Sequence, residues 1–473
     1  MVESKSSASM PAEFGLATAT FVIVASMVGV GVLTTSGYTV YFVGSNQLML
    51  ILWVLGGIVA ACGALTLCEL SSAMPHTGGD YIYLKAAYGP LVAFLSGWVS
   101  FLIGFGAPSA TAAIGSATYL TTPLALDPSN ALIIHRSIAT ALILMFALIH
   151  TWGRKQTAYV QGWITALKLL LLVLFMVAGL IAGRGNFSHL ADRPPIDVNL
   201  LKSMMFSLVF ISYAYIGWNA ASYMAAEFVE PQKLLPRAIL LGTLGVTALY
   251  LGLNLVYALA LSAGDIRSIA NDPANPLKEN ALAPIADLAA RRLFGAGWSA
   301  PLSVAVGLML LSSLSAYLLT GPRVIYAMAV SGHFPAIAGR LTKRSGTPGM
   351  ASFLQTAVTL AFVWIGTLAS LVEYATVGLS IFSMLAVGAI FVLRSTQPDL
   401  PRPFRTPGYP FTPALYLILT GALTLAAFSQ RPLVSLLALV SILAGVPFYY
   451  VWKWLAGHYE VNTPTTPHPT ANP

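Results

Sequence analysis

The chain has 473 residues, 57% of them hydrophobic and only 8% charged, whereas a soluble domain carries about 25% charged residues. That deficit excludes a soluble enzyme and points to an all-α integral membrane protein with many spans. The formal net charge of +8 is scattered between apolar runs and forms no continuous basic face, so it implies a lipid bilayer and no nucleic acid. Cys62 and Cys68 are the only cysteines and share one apolar segment, without a disulfide framework or a metal pattern. The His residues at 76, 135, 150, 189, 333, 458 and 468 show no ligand spacing. No metal site and no cofactor are expected.

The start, MVESKSSASMPAEFG, lacks a signal-peptide n-region and a small-residue cleavage site, so the first apolar run is expected to be retained. A span needs roughly 20 apolar residues. Twelve segments meet that rule, at about 14–42, 47–72, 86–120, 131–150, 158–182, 198–228, 237–262, 297–330, 350–370, 373–393, 412–428 and 432–455. The third and eighth are long enough to imply tilt. An even count puts both termini on one side. With the N-terminus cytoplasmic, fourteen Lys and Arg fall inside and nine outside, four of the nine in the long Ser262–Trp298 connection. Long connections count for less, so cytoplasmic termini are favoured. Residues 457–473 are polar and Pro-rich and read as a disordered cytoplasmic tail.

Two spans are interrupted. In the first, Gly29-Val30-Gly31 falls near mid-depth, between Ser26 and Thr34-Thr35-Ser36. Taken alone, those glycines fit either close helix packing or a broken helix. In the sixth, Tyr215-Ile216-Gly217-Trp218-Asn219 breaks an otherwise apolar run, which ends in acids, a Lys and a Pro. Irregular backbone at membrane depth is tolerated only inside protein or beside a cavity. Gly-interrupted segments at matching places in two halves point to a transporter site. A half-helix N-terminus offers N–H groups to a carboxylate, and the opposing C-terminus offers carbonyls to an ammonium. Both ends together suit an α-amino acid without any charged side chain. An intramembrane enzyme would instead show paired acids or a nucleophile with its base at depth. A channel would show a repeated polar ring. Neither pattern is present.

Lys168 stands inside the fifth span, in ITALKLLLLVLF. A charge at mid-membrane costs about 2.5–3.5 kcal/mol on insertion scales. Either it snorkels to the interface, or it is held inside as a functional cation.

Several long motifs then follow in order: GVGVLTTSG, ELSSAMPHTGGDYIYLKAAYGPLVAFLSGW, VQGWITALKLL, SYAYIGWNAASYMAAEFVEPQKLLPRAI, GPRVIYAMAVSGHFP and PDLPRPFRTPGYPFTP. With them nearly the whole chain resembles the amino acid–polyamine–organocation transporter superfamily, in its L-type amino acid transporter branch. The resemblance implies a LeuT-type five-plus-five inverted repeat of twelve transmembrane helices, with helices 1 and 6 discontinuous and alternating access. The single transporter domain would cover about 1–456, with repeat one at about 14–182, repeat two at about 198–393 and two further helices at about 412–455.

Carried over by position, the N–H groups of Gly29, Val30 and Gly31 would meet the substrate carboxylate. The carbonyls of Ala214, Tyr215 and Ile216 would meet its amine. Tyr213 matches a gating aromatic, and Trp218 and Asn219 match side-chain-pocket or gate positions. Val30 departs from the small residue the family carries there, which bears on the substrate more than on the fold. Lys168 stands where the family often has a Lys in place of a sodium ion, near hydroxyls of Ser312, Ser313 and Ser315. Transport is then expected to be sodium-independent, by exchange or proton coupling, with Lys168 either a fixed charge or a proton carrier. Asn219 stands where carriers of basic substrates have an acid, which favours a neutral L-amino acid over a polyamine or cationic amino acid. Glu69, Asp80 and Glu227 read as gate or loop groups. Eukaryotic members of the branch are disulfide-linked to a heavy-chain glycoprotein through a Cys between spans three and four. None lies between Tyr119 and Asn130, so no such subunit is expected, and a bacterial inner membrane is the implied location.

Overall fold

The computed structural model describes residues 12–461, apart from 125, 182–183, 193, 272–281, 283, 344, 367 and 431. Among the described residues every named element is helical, and the single isolated β-bridge joins Phe14 to Phe228. In order the α-helices are α1 Leu16–Met27, α2 Val30–Val43, α3 Asn46–Ala73, α4 Asp80–Tyr88, α5 Pro90–Val99 and α6 Ala107–Thr121. Next come α7 Pro128–Trp152, α8 Arg154–Ile181, α9 Val198–Ala214, α10 Pro231–Ala260, α11 Ala263–Asn271 and α12 Ile285–Phe294. The chain closes with α13 Ser299–Val330, α14 Gly349–Ile365, α15 Leu368–Thr396, α16 Phe411–Gln430 and α17 Pro432–Val461.

Nine stretches among the described residues are long and apolar enough to cross a membrane. Three shorter apolar helices, α1, α9 and α14, lie where the remaining sequence segments fall. Burial sorts these helices by place. The apolar stretch containing α13 is 67% buried and that of α5–α6 is 61%, against 17% and 22% for α7 and α8. The first two therefore form the centre and the latter two the periphery. There Leu144, Leu148, Leu170, Leu174 and Ile181 are exposed, a surface suited to lipid tails, which are as apolar as Leu. α13 packs against α6, α8 and α1, while α10 packs against α3 and α1.

The third segment begins later than its hydropathy suggests. α4 ends at Gly89 (φ 87°), and α5 restarts with Pro90 as its first residue. Pro lacks the N–H needed to continue a helix but fits its first turn. Within this span Ser100–Gly106 is a π-helical turn. Two amphipathic helices, α11 and α12, occupy the connection before α13. α17 runs to Val461, a few residues into the expected tail, and residues 462–473 lie outside the described residues.

Ion pairs on two buried acids tie the helix ends together. The Arg323 guanidinium on α13 forks onto Glu227 at 2.9 and 3.2 Å, with both side chains buried. The Glu227 carbonyl also accepts the N–H groups of Glu13 and Phe14, docking the segment before α1. Glu69 on α3 accepts Arg394 from α15 at 2.7 and 2.9 Å and the Thr406 N–H at 2.7 Å, with Arg402 at 3.3 Å. Each acid thus joins a span end to a neighbouring helix, and its geometric partner is a bidentate Arg.

Candidate functional site

α1 stops because Val28 and Gly29 leave the helical region, at φ −78°, ψ 89° and φ −125°, ψ −148°. A helix end leaves four carbonyls without intrahelical partners, and burial requires that each finds a donor. Here side chains from three helices supply them. The Lys168 ammonium on α8 donates to Ala25 O at 3.2 Å, to Val28 O at 2.5 Å and to Ser313 Oγ at 2.8 Å. Ser313 Oγ donates to Val28 O at 2.9 Å. The Tyr317 hydroxyl donates to Ser26 O at 2.7 Å, and the Tyr250 hydroxyl to Met27 O at 2.7 Å. Lys168 is 1% exposed, so it does not snorkel.

The second break follows α9. Tyr215 and Ile216 continue as turns, Gly217 takes φ 117°, and a 3-10 helix runs over Ala220–Glu227. The two breaks touch. A Cβ on Gly217 would lie 2.9 Å from the Ser26 carbonyl carbon and 3.0 Å from Met27 N. A Cβ on Gly31 would lie 2.7 Å from that of Ala214. Only glycine permits these approaches, and at Gly217 the positive φ demands it as well. Tyr250 fastens the pair, because its single hydroxyl hydrogen is shared between Met27 O and Ala214 O, the latter at 2.8 Å.

Between the breaks lies a cavity of about 80 Å³, several times the roughly 10–15 Å³ that one water requires. Gly29, Gly31, Tyr213, Ala214, Ile216, Trp218 and Asn219 line it. The N-cap residue of α2 is Gly29, which carries no side chain to cap the helix. The Val30 backbone belongs to α2, but its side chain lies outside the described residues. The Tyr215 side chain turns away, its hydroxyl donating to Trp53 O at 3.0 Å. Of the three serines expected near Lys168, Ser313 alone bonds it. Ser312 pairs with Thr165 at 3.1 Å and Ser315 meets His150 at 3.0 Å. Cys62 and Cys68 are free thiols on α3.

Sequence reasoning missed Tyr250 and Tyr317, tyrosines in apolar helices with no local signature. It read Asp80 only as a gate or loop group and did not foresee that Asp80 lines the cavity, 6% exposed, with Asn219 Nδ2 at 2.8 Å and the Tyr223 hydroxyl at 3.1 Å. The signal was the Gly78-Gly79 pair before it, whose positive φ values turn the loop under Tyr223.

Comparison with known proteins adds family context. The mouse large neutral amino acids transporter small subunit 2 is 30% identical over 452 residues, covering 93% of this chain and 80% of the relative. The serine/threonine exchanger SteT of Bacillus subtilis (strain 168) is 30% identical over 449 residues, covering 93% and 97%. The human b(0,+)-type amino acid transporter 1 is 27% identical over 473 residues, covering 97% and 92%. The family model described as amino acid permease matches residues 14–454. With that match over nearly its whole length, and with two broken helices meeting at one cavity, the chain belongs to the amino acid permease family.

Proposed function

We propose that this protein is a secondary-active transporter of a neutral L-amino acid, working by alternating access, without sodium, by exchange or proton coupling. The observation that carries the reading is the meeting of the two breaks. The N-terminus of α2 at Gly29 and Gly31 and the C-terminal end of α9 at Ala214 and Ile216 line one cavity, and helix ends of opposite sense suit a zwitterion. In this reading Tyr213 gates the site, and Trp218 and Asn219 contact the substrate side chain. Lys168 and Ser313 fill a cation site among the α1 carbonyls, which removes the need for sodium, while Ser312 and Ser315 act only by holding Thr165 and His150. Similarity to a serine/threonine exchanger and to a large neutral amino acids transporter supports neutral substrates and exchange.

The three short apolar helices complete twelve spans: α1 with α2, α9 with the 3-10 helix, and α14. A LeuT-type five-plus-five arrangement then puts the breaks in spans one and six, with α16 and α17 outside the repeats. Cytoplasmic termini in a bacterial inner membrane fit the Lys and Arg distribution. No covalent partner is invoked. A carrier of polyamines or cationic amino acids is the second reading, favoured by the carboxyl of Asp80 in the cavity.

The test is counterflow in proteoliposomes with a panel of labelled amino acids, run in sodium and in choline, with and without a pH gradient. Saturable counterflow of neutral amino acids in choline supports the proposal. Uptake that vanishes without sodium refutes it, and preference for L-lysine or putrescine supports the second reading.

A further inference from the structure

Asp80 is the one acid among the described residues lining the cavity, and no Lys, Arg or His lines it with Asp80. Asn219 and Tyr223 both donate to the same carboxyl oxygen, Oδ2. The loop around it grips the segment after the second break. Thr77 Oγ1 accepts the Ala226 N–H at 3.3 Å, and the Gly78 N–H donates to Tyr223 O at 3.2 Å. A Cβ on Gly79 would lie 2.7 Å from the Tyr223 ring, and Phe105 meets that ring edge-on at 5.2 Å. Asp80 thus sits in a built clamp between α4 and residues 219–226, at the wall of the cavity.

The groups facing it are phenols: Tyr83 on α4, Tyr223 on the 3-10 helix and Tyr416 on α16. Phenols are neutral at physiological pH. Elsewhere on α4, Tyr81 bonds His333 at 2.6 Å and Lys85 sits in the last turn. Arg323 on α13 is committed to Glu227. Tyr81, Lys85, His333 and Arg323 do not line the cavity. A buried carboxylate with two neutral donors and no cation must carry its charge at a desolvation cost or take up a proton.

We infer that Asp80 is a proton-binding site on the cavity wall, protonated in the clamped arrangement and ionised when the segment after the second break moves away and water reaches the carboxyl. The inference rests on the transporter reading for its consequence, a proton-linked step, and not for the site itself. Asp80 lies on α4, outside the candidate spans. Burial raises its carboxyl to about 6, against the donors Tyr223 and Asn219, which lower it. The sign follows from linkage. The clamped state binds the proton more tightly than a hydrated carboxyl near its ordinary value of about 4, so acid favours the clamp. Raising the pH through about 6 releases it, by up to roughly a hundredfold in the clamp equilibrium for a two-unit difference.

The experiment has two readouts on the full-length protein. Infrared difference spectra between pH 5 and 8 read the protonated carboxyl C=O band, and counterflow of labelled L-serine and L-leucine reads the linked step. The wild type is expected to lose a carboxyl band with a midpoint near pH 6, while counterflow rises over the same range. Asp80→Asn mimics the neutral acid, so it should lack the band and hold counterflow flat at the acid level. Tyr223→Phe removes a donor to the ionised form and should move the midpoint up by about one pH unit. A band that persists in Asp80→Asn overturns the inference, as does an unchanged pH profile in that variant. A profile that depends on sodium against choline at fixed pH would make the ligand a metal cation and overturn it too. If no amino acid is exchanged at any pH, the transporter reading fails, and the infrared band still decides Asp80.

Discussion

Replacing Tyr250 by Phe removes one oxygen and leaves the ring. That oxygen is fully buried and donates to Met27 O at 2.7 Å and Ala214 O at 2.8 Å. Ring packing against Trp53 and Tyr215, at 5.2 and 5.1 Å, is retained, so the cavity term is small. What is lost is one shared hydrogen between two buried acceptors. Leaving a buried acceptor without its donor costs about 1–3 kcal/mol, so about 2 kcal/mol for the pair is the central figure, roughly thirtyfold in an equilibrium. The two carbonyls belong to the two breaks, so the loss loosens the spacing between the ends proposed to hold carboxylate and amine. The assay is a thermal melt in detergent with the concentration dependence of counterflow. The expected result is a melting temperature lower by a few degrees and a KM raised about tenfold or more. Tyr257→Phe is the matched control, since the Tyr257 hydroxyl on the same helix is buried without a partner. It should be neutral or stabilising. A Tyr250→Phe protein with wild-type melting and KM would refute the reasoning, because the carbonyls would then be satisfied without the phenol.

Two further substitutions test the site's frame. Gly217→Ala sets a Cβ 2.9–3.0 Å from Ser26 and Met27 backbone at φ 117°; strain of about 1–3 kcal/mol and overpacking of a similar size predict a large loss of monodisperse protein on size exclusion, and wild-type yield would contradict the close approach. Lys168→Ala removes three hydrogen bonds and is expected to abolish counterflow from pH 5 to 8, with Ser312→Ala milder because Ser312 faces Thr165; unchanged uptake at every pH would remove Lys168 from the mechanism.

How much of this was legible in the sequence follows from which contacts are local. The breaks were readable because Gly and amide residues contradict a continuous lipid-embedded helix over a few neighbouring positions. Lys168 was readable because a charge in an apolar run has few explanations. Its partner was only half readable. Ser312, Ser313 and Ser315 look alike in the sequence, but successive helical residues point about 100° apart, so one serine faces α1 while the others face α8 and α7. The tyrosine donors were invisible because a buried phenol's partner is set by helices 36 to 291 positions away along the chain. That Asp80 lines the cavity was invisible for a related reason. An acid at a helix start says nothing of what it faces until the fold turns Gly78 and Gly79 beneath Tyr223.

The caps on α1 bear on how such a break could move. The donors at Ala25, Ser26, Met27 and Val28 come from α8, α13 and α10. α1 cannot shift against any one of these helices alone without unmaking a bond to a buried carbonyl. At about 1–3 kcal/mol for each unsatisfied group, unmaking all of them dry would cost several kcal/mol, comparable to the stability of a whole domain. Ser26, Met27 and Gly29 line the cavity, so water entering there can take over their bonds at little net cost. Ala25 and Val28 do not line it, and both are held by Lys168. In the proposed alternating-access reading, the cavity side of the break would hydrate while the Lys168 side stays fixed, with Lys168 as the pivot and Tyr250 and Tyr317 as the contacts that open.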